Sequence, residues 1–205
     1  LSGQGYFENV EGPISTGKES NVFSVLYKDG KRVVKIYRTS ANFKKMYEYM
    51  KPDPRFSGIS GTKLSIIYTW ARKEYRNLLR AREKGVSAPT PYAVHKNILV
   101  MEYFAAPLLV HQAPKNPQRF YKRLISELQK LLQAGLVHAD ISEYNILNYK
   151  EKPVLIDFSH ALELRYPNVQ KYLLRDVHNL VVYFNKLGLD LDEMKEFQRI
   201  WIHKN

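Results

Sequence analysis

The stretch Val137-His138-Ala139-Asp140-Ile141-Ser142-Glu143-Tyr144-Asn145 decides how the rest of this chain is interpreted. It follows a helical pattern, and it places Asn145 five residues after Asp140. Twelve residues beyond Asn145, Asp157 directly follows the short apolar run 154–156. A carboxylate that receives a proton, together with an amide and a second carboxylate that supply hard oxygen ligands, is the set that Mg²⁺-dependent phosphoryl transfer requires. The second half of the sequence therefore indicates phosphoryl-transfer chemistry.

Two residues of the first half fit the same chemistry. Lys35 lies inside the apolar strand pattern Arg32–Tyr37, where it either snorkels from an edge or enters a cleft to meet an anion. Glu74 lies beside the apolar stripe of a predicted helix, and a carboxylate in that position usually pairs with a cation. Two unrelated surface residues are the alternative. The order of Lys, Glu, Asp, Asn and Asp favours an ion pair that binds nucleotide phosphates.

A loop of small residues precedes Lys35. Ser15, Gly17 and Ser20 keep the spacing of a G-x-G-x-x-G loop with serine at two positions, and Val22 follows two residues later. Such a loop lets backbone N–H groups approach phosphates closely. An ordinary turn is the alternative at this point.

The pattern of apolar residues predicts an α+β fold of two lobes. The predicted strands are 22–27, 32–37 and 98–104, with a hairpin turn at Lys28-Asp29-Gly30-Lys31. The predicted helices are 62–84, 117–134, 175–187 and 192–202. We expect a strand-rich N-lobe over 1–103 with one long helix, a hinge at about 101–107, and a reduced helical C-lobe over 104–205. A cleft between two such lobes is a typical ligand site.

Two expectations concern the predicted helix 62–84 and the chain before it. The stretch 39–61 is predicted to be a long loop, functional or mobile, because Pro and Gly recur in its second part. The helix is expected to bury one apolar face. That face consists of Leu64, Ile67, Tyr68, Ala71, Tyr75, Leu78 and Leu79.

Composition limits the class of protein. The 205 residues include no cysteine, which excludes disulfides, thiolate metal sites and cysteine nucleophiles. No segment approaches the apolar length of a membrane span, so we expect no membrane association and a cytoplasmic location. The formal net charge is +12. Residues 1–100 contain 18 basic and 8 acidic residues and therefore carry +10 of that charge. That surplus suggests a polyanionic partner, with ordinary solvated surface as the alternative. The predicted basic helix surface consists of Lys63, Arg72, Lys73, Arg76, Arg80, Arg82 and Lys84.

On these motifs the sequence resembles the RIO family of atypical serine protein kinases, and in particular the short, archaeal-like form of its first subfamily. The resemblance covers nearly the whole chain. It rests on 15–23, 34–38, Asp53-Pro54-Arg55-Phe56, 73–78 and 137–145.

The resemblance implies roles for the residues named above. Lys35 would be catalytic and bind ATP phosphates, Glu74 would pair with it, and Asp140 would be the catalytic Asp. Asn145 and Asp157 would hold Mg²⁺, for which Mn²⁺ could substitute, and Asp157 could also accept the phosphoryl group. The remaining expected nucleotide contacts are Ser15, Gly17, Lys18, Ser20 and Val22 in the loop, and Met101, Glu102 and Phe104 in the hinge.

The resemblance also implies a biological setting. It implies ATPase activity, autophosphorylation on serine, and action in maturation of the small ribosomal subunit, with rRNA and ribosomal proteins as partners and no DNA specificity. Asp157-Phe158-Ser159 replaces D-F-G, and only 48 residues follow Asp157, which disfavours a free peptide as substrate. Two alternatives stay open: a small-molecule phosphotransferase of the aminoglycoside or sugar type, and a nucleotide-switched RNA- or ribosome-binding module. Asp176 either supports the catalytic loop or caps a helix N-terminus.

Overall fold

A computed structural model describes residues 1–28 and 30–203. The chain divides into two compact units, the first made of Leu1–Leu79 and Pro89–Tyr103. The second is made of Arg80–Ala88 and the chain from Phe104 onward. The first unit holds a five-stranded sheet and the second is mainly helical, so the chain has the α+β class predicted from its sequence.

The sheet of the first unit is antiparallel throughout, with the order β1-β2-β3-β5-β4. Its strands are β1 (Val10–Thr16), β2 (Ser20–Tyr27), β3 (Gly30–Tyr37), β4 (Pro91–His95) and β5 (Ile98–Glu102). The predicted strands correspond to β2, β3 and β5, whereas β1 and β4 were missed. Nearly every residue of β1 is exposed, so β1 carries no apolar alternation that a sequence pattern could reveal. The predicted hairpin turn includes Asp29, which lies outside the described residues.

The stretch 39–61, which we call the insertion segment, is not the loop that the sequence predicted. It contains helix α1 (Phe43–Met50) and a 3₁₀ turn (Pro54–Phe56). Asn42 caps α1 by accepting the backbone N–H of Lys45, and Met46 and Met50 are buried. The prediction failed because the prolines and glycines cluster after α1, in the second part of the segment.

The long helix α2 spans Lys63–Glu83, close to its predicted bounds. Its predicted face was only partly correct, because Leu64 and Leu79 are 48% and 38% exposed. The buried side also holds polar residues, namely Thr69, Lys73, Glu74 and Asn77. Apolar periodicity cannot identify a buried face that carries charges.

Lys73 accordingly does not belong to the basic surface predicted for this helix. It is fully buried, and its Nζ lies 5.4 Å and 5.2 Å from the ring centroids of Tyr49 and Trp70. A lysine ammonium close to two aromatic faces is stabilised by the ring quadrupoles.

The second unit is built on three helices and two small two-stranded sheets. The helices are α3 (Pro117–Gln133), α4 (Val169–Lys186) and α5 (Glu193–Trp201). The strands are β6 (Leu136–Val137), β7 (Ile146–Tyr149), β8 (Lys152–Leu155) and β9 (Leu162–Glu163), with β6 paired to β9 and β7 paired to β8. Helix α3 lies close to its predicted bounds and buries one apolar face, and α4 begins six residues before the predicted start at residue 175. Across residues 1–28 and 30–203 we find no helix whose length and hydropathy would allow it to cross a membrane.

Candidate functional site

The first unit buries an ion pair between β3 and α2. Lys35 Nζ lies 3.0 Å from Glu74 Oε1, and the two residues are 4% and 0% exposed. The hydroxyl of Tyr37, two residues along β3, donates a hydrogen bond to the other carboxylate oxygen of Glu74. The structure therefore brings together the predicted Lys and Glu, and it adds Tyr37, which sequence reasoning did not single out. Alternation along β3 places Lys35 and Tyr37 on one face, and that signal could have found Tyr37.

The predicted phosphate loop is the tight turn between β1 and β2. The Gly17 N–H donates to the Ser20 carbonyl at 2.8 Å, and Ser15 pairs with Val22 across the hairpin. Val22 is in turn the register partner of Lys35 on β3. A Cβ at position 17 would lie 3.3 Å from the Ser20 carbonyl oxygen, so the turn is tight where glycine stands.

Lys18 lies at the tip of this turn and is exposed. The lysine of this loop is thus accessible to an anion at the end of the β1–β2 hairpin. Its contact with phosphate stays a prediction.

The predicted hinge residues are divided between the two units. Met101 and Glu102 end β5 in the first unit, and the Glu102 carboxylate accepts hydrogen bonds from the backbone N–H of Thr90 at 3.0 Å and its hydroxyl at 2.8 Å. These contacts orient the end of β5. Phe104 belongs to the second unit, where its ring packs edge-on against Tyr149 with centroids 5.3 Å apart.

The second unit brings Asp140 and Asn145 together. The Asn145 side-chain amide donates to the Asp140 carbonyl at 2.7 Å and to its Oδ2 at 3.1 Å. The Ile156 N–H donates to the Asn145 carbonyl at 3.0 Å, which ties Asn145 to the residue before Asp157. The predicted spacing thus places the three polar residues on connected backbone.

Asp157 has a strained backbone and a fixed carboxylate. Its φ is +62°, in the left-handed region that is unusual for a residue with a side chain. The hydroxyl of Ser159 donates to Asp157 Oδ1 at 2.7 Å. His160 follows, with Nδ1 4.0 Å from Asp140 Oδ2. Ser159 and His160 were not predicted to contribute, although their position directly after Asp157-Phe158 is a signal that could have identified them.

Helix α4 holds the loop that presents Asp140. The carboxylate of Asp176 accepts the backbone N–H groups of Ala139 and Ile141 at 2.7 and 2.9 Å. The guanidinium of Arg175 donates to the Ala139 carbonyl, and the amide of Asn179 donates to the Ile141 carbonyl. Asp176 therefore supports the loop, and the alternative that it caps a helix is wrong, because α4 starts seven residues earlier.

Burial controls the ionisation of Asp176. It raises the pKa of this carboxyl from 3.8 to about 7, because loss of water outweighs the two backbone N–H bonds and Arg175. On the other side of the loop, His138 Nε2 lies 3.0 Å from the Ile156 carbonyl oxygen and its ring packs against Phe158. His138 therefore braces the loop.

The donor atoms of the second unit fit a hard cation. Because the Asn145 amide nitrogen is directed at Asp140, its amide oxygen is turned the other way, and Asp157 supplies a carboxylate. Mg²⁺ is commonly bound by one or two such protein ligands together with substrate phosphates and waters. Among residues 1–28 and 30–203, no group of three His, Cys, Asp or Glu side chains could hold a metal ion on its own.

Comparison with known proteins agrees with these motifs. A family model described as the RIO domain matches residues 21–197. The RIO-type serine/threonine-protein kinase Rio1 of Haloferax volcanii is 41% identical over 195 residues, which are 92% of this chain and 67% of that protein. Rio1 of Methanocaldococcus jannaschii is 35% identical over 197 residues, which are 93% of this chain and 67% of that protein.

Solved structures establish the fold. The Rio2 kinase of Chaetomium thermophilum, solved as an ADP/Mg²⁺-phosphoaspartate complex, matches with a TM-score of 0.74 and 24% identity over 97% of this chain. The chain spans 63% of that solved chain. The predicted kinase-like α+β fold is thereby confirmed. The chain belongs to the RIO family of atypical serine/threonine-protein kinases, in its Rio1 subfamily.

Proposed function

We propose that this protein is an ATP- and Mg²⁺-dependent serine kinase and ATPase that can phosphorylate itself. The observation that carries the proposal is the buried Lys35–Glu74 pair. A buried ion pair is weak evidence for stability, because well-packed apolar residues of similar volume are often as stable. A lysine held by a carboxylate is instead what the binding of nucleotide phosphates requires.

Each residue has a distinct part in the proposed reaction. Lys35 neutralises the α- and β-phosphates of ATP, and Glu74 and Tyr37 hold its ammonium in place. Asp140 orients the attacking serine hydroxyl and takes up its proton. Asn145 and Asp157 would hold Mg²⁺, which neutralises charge that develops on the phosphates. The loop that contains Ser15, Gly17 and Ser20 would approach the phosphates through backbone N–H groups other than that of Gly17, which donates to the Ser20 carbonyl.

Asp157 could in addition act as the acceptor itself. A carboxylate oxygen of Asp157 would form a bond to the γ-phosphorus while the bond to the ADP oxygen breaks, and water would later release inorganic phosphate. The Ser159 hydroxyl donates to Asp157 Oδ1 at 2.7 Å and so helps to orient the carboxylate. A relative, the Rio2 kinase, has been solved with a phosphoaspartate.

Variants of the two carboxylates test the proposal. Purified protein with Mg²⁺ and γ-labelled ATP should label itself and release phosphate. Asp140→Ala should abolish labelling of serine, and Asp157→Ala should abolish both labelling and release. Asp190→Asn, at an exposed position, is the matched control and should behave as wild type. Unchanged activity in both alanine variants would overturn the assignment of the site.

We further propose that the partner is the precursor of the small ribosomal subunit and that the protein is cytoplasmic. The support is the surplus of 10 positive charges in residues 1–100. The exposed cations of the predicted surface are Lys63, Arg72, Arg76 and Arg82 on α2 and Lys84 directly after it. Binding to rRNA should weaken steeply with salt, and Arg72→Gln with Arg76→Gln should reduce the salt slope by about 2. Affinity for rRNA that does not change with salt concentration would contradict this proposal.

A further inference from the structure

We infer that the insertion segment, residues 39–61, is a clamp that fixes α2 so that Glu74 reaches Lys35, and that Arg55 is its principal positioning residue. This inference rests on the proposed function, because it concerns the geometry of the same ion pair. Arg55 is joined to α2 by a hydrogen bond to Asn77, so we expect its effect on activity to act through α2.

Apolar packing attaches the segment to α2. Met46 and Met50 of α1 and Phe56 of the 3₁₀ turn are buried in one cluster with α2. That cluster includes Trp70 of α2, and it also includes Tyr37, whose hydroxyl binds Glu74. The clamp and the ion pair therefore share a core residue.

A polar network fixes the position of the insertion segment along α2. The Arg55 guanidinium forms two-pronged contacts with Asp53, with Nη2 2.7 Å from Oδ2 and Nε 3.0 Å from Oδ1. Its Nη1 donates to Asn77 Oδ1 at 2.8 Å. Asp53 and Asn77 are 1% and 0% exposed, so these hydrogen bonds are made away from water. A planar guanidinium held at both edges has little freedom to turn.

Asn77 transmits this constraint to the site. It lies three residues after Glu74, on the next turn of α2 and on the same side of the helix. A rotation or slide of α2 would carry both residues together, so it would separate Glu74 from Lys35 and Asn77 from Arg55. Apolar contacts are non-directional, whereas the hydrogen bond from Arg55 to Asn77 requires one distance and direction.

Removal of the Arg55 fork tests the inference. Arg55→Gln should lower kcat for ATP by about 10- to 100-fold, since small misplacement of a catalytic group has effects of this size. Arg55→Lys keeps a positive charge beside Asp53 but loses the paired hydrogen bonds of the guanidinium. Its kcat should therefore lie between those of Arg55→Gln and the wild type. Lys44→Gln, at an exposed position on α1, is the matched control and should have wild-type kcat. Thermal unfolding of each variant checks that the protein is folded.

A double-mutant cycle separates positioning from general destabilisation. If Arg55 acts through Glu74, then Arg55→Gln should cause no further loss of kcat when Glu74 is already replaced by Gln. Full additivity of the two losses would overturn the inference. So would failure of both Arg55→Gln and Arg55→Lys to fold, because the network would then serve folding alone.

The same data distinguish the two proposals. Equal ATP turnover in wild type and Glu74→Gln would contradict the proposed function. An active wild type, an impaired Glu74→Gln and a fully active Arg55→Gln would overturn the clamp alone.

Discussion

Replacement of Asp176 by Asn probes how the loop that presents Asp140 is held. Asp176 is fully buried and accepts two backbone N–H groups, from Ala139 and Ile141. Ala139 has a φ of +63°, a conformation that costs about 1–2 kcal/mol for a residue with a Cβ. The hydrogen bonds from α4 therefore maintain a loop that would otherwise relax.

The pKa of Asp176 gives this substitution a pH dependence. Burial raises the pKa to about 7, so between pH 3.8 and 7 the carboxyl is protonated in the folded protein and ionised in the unfolded chain. The folded state then binds more protons, and its stability falls as the pH rises through this range. At about 1.4 kcal/mol per unit, the free energy of unfolding should fall by about 3 kcal/mol between pH 5 and pH 8 because of this group.

The Asp176→Asn variant has no titrating group at this position, so its free energy of unfolding should not fall between pH 5 and pH 8 for this reason. Its amide has one acceptor oxygen where the Asp176 carboxyl presents an oxygen to each of the two N–H groups, and one buried N–H without its partner costs about 1–3 kcal/mol. Urea unfolding should show the variant destabilised by about 1–3 kcal/mol at pH 5 and as stable as the wild type, or more stable, at pH 8, because only the wild type loses about 3 kcal/mol between these values. Asp190→Asn controls for exposed titration. A difference that is the same at pH 5 and pH 8 would refute the reasoning.

Two further substitution pairs test packing. Ile67→Ala should lower the free energy of unfolding by about 2–5 kcal/mol, since Ile67 is fully buried. Leu64→Ala should lower it by about 1 kcal/mol or less, since Leu64 is exposed. Equal losses in urea unfolding would contradict the assignment of the buried face of α2. Gly135 and Gly85 have φ of +70° and +71°, but only at Gly135 would a Cβ collide with a described side chain, the Arg80 guanidinium. Gly135→Ala should therefore lower the melting temperature more than Gly85→Ala, and equal shifts would mean that the arginine moves aside freely.

The sequence predicted the parts of the site whose chemistry is local. Asp140, Asn145 and Asp157 are recognised by spacing alone, because a loop and the strand after it carry all three. Lys35 and Glu74 were paired correctly because a lysine in an apolar strand and a carboxylate beside an apolar helix face each need a partner. In the structure Lys35 contacts Glu74 within the first unit, and Asn145 contacts Asp140 within the second.

The supporting contacts could not be predicted, because they join residues far apart in sequence. Arg55 reaches Asn77 across 22 positions, and Asp176 reaches Ala139 across 37. Neither pair leaves a periodic signal. The same limit explains the error on α2, since periodicity counts apolar residues and Lys73 and Asn77 are polar residues inside the core.

Phosphoryl transfer by the wild type and Lys35→Met, measured side by side, tests the central claim most directly. Both proteins would be incubated with Mg²⁺ and γ-labelled ATP, and labelled protein and released phosphate would be counted together. A methionine fills the buried position but leaves the Glu74 carboxylate without its lysine, which costs about 3–5 kcal/mol, so thermal unfolding must first show that the variant is folded. The account predicts steady formation of product by the wild type and a rate lower by about 100-fold or more in the variant. Equal product from both proteins would contradict it.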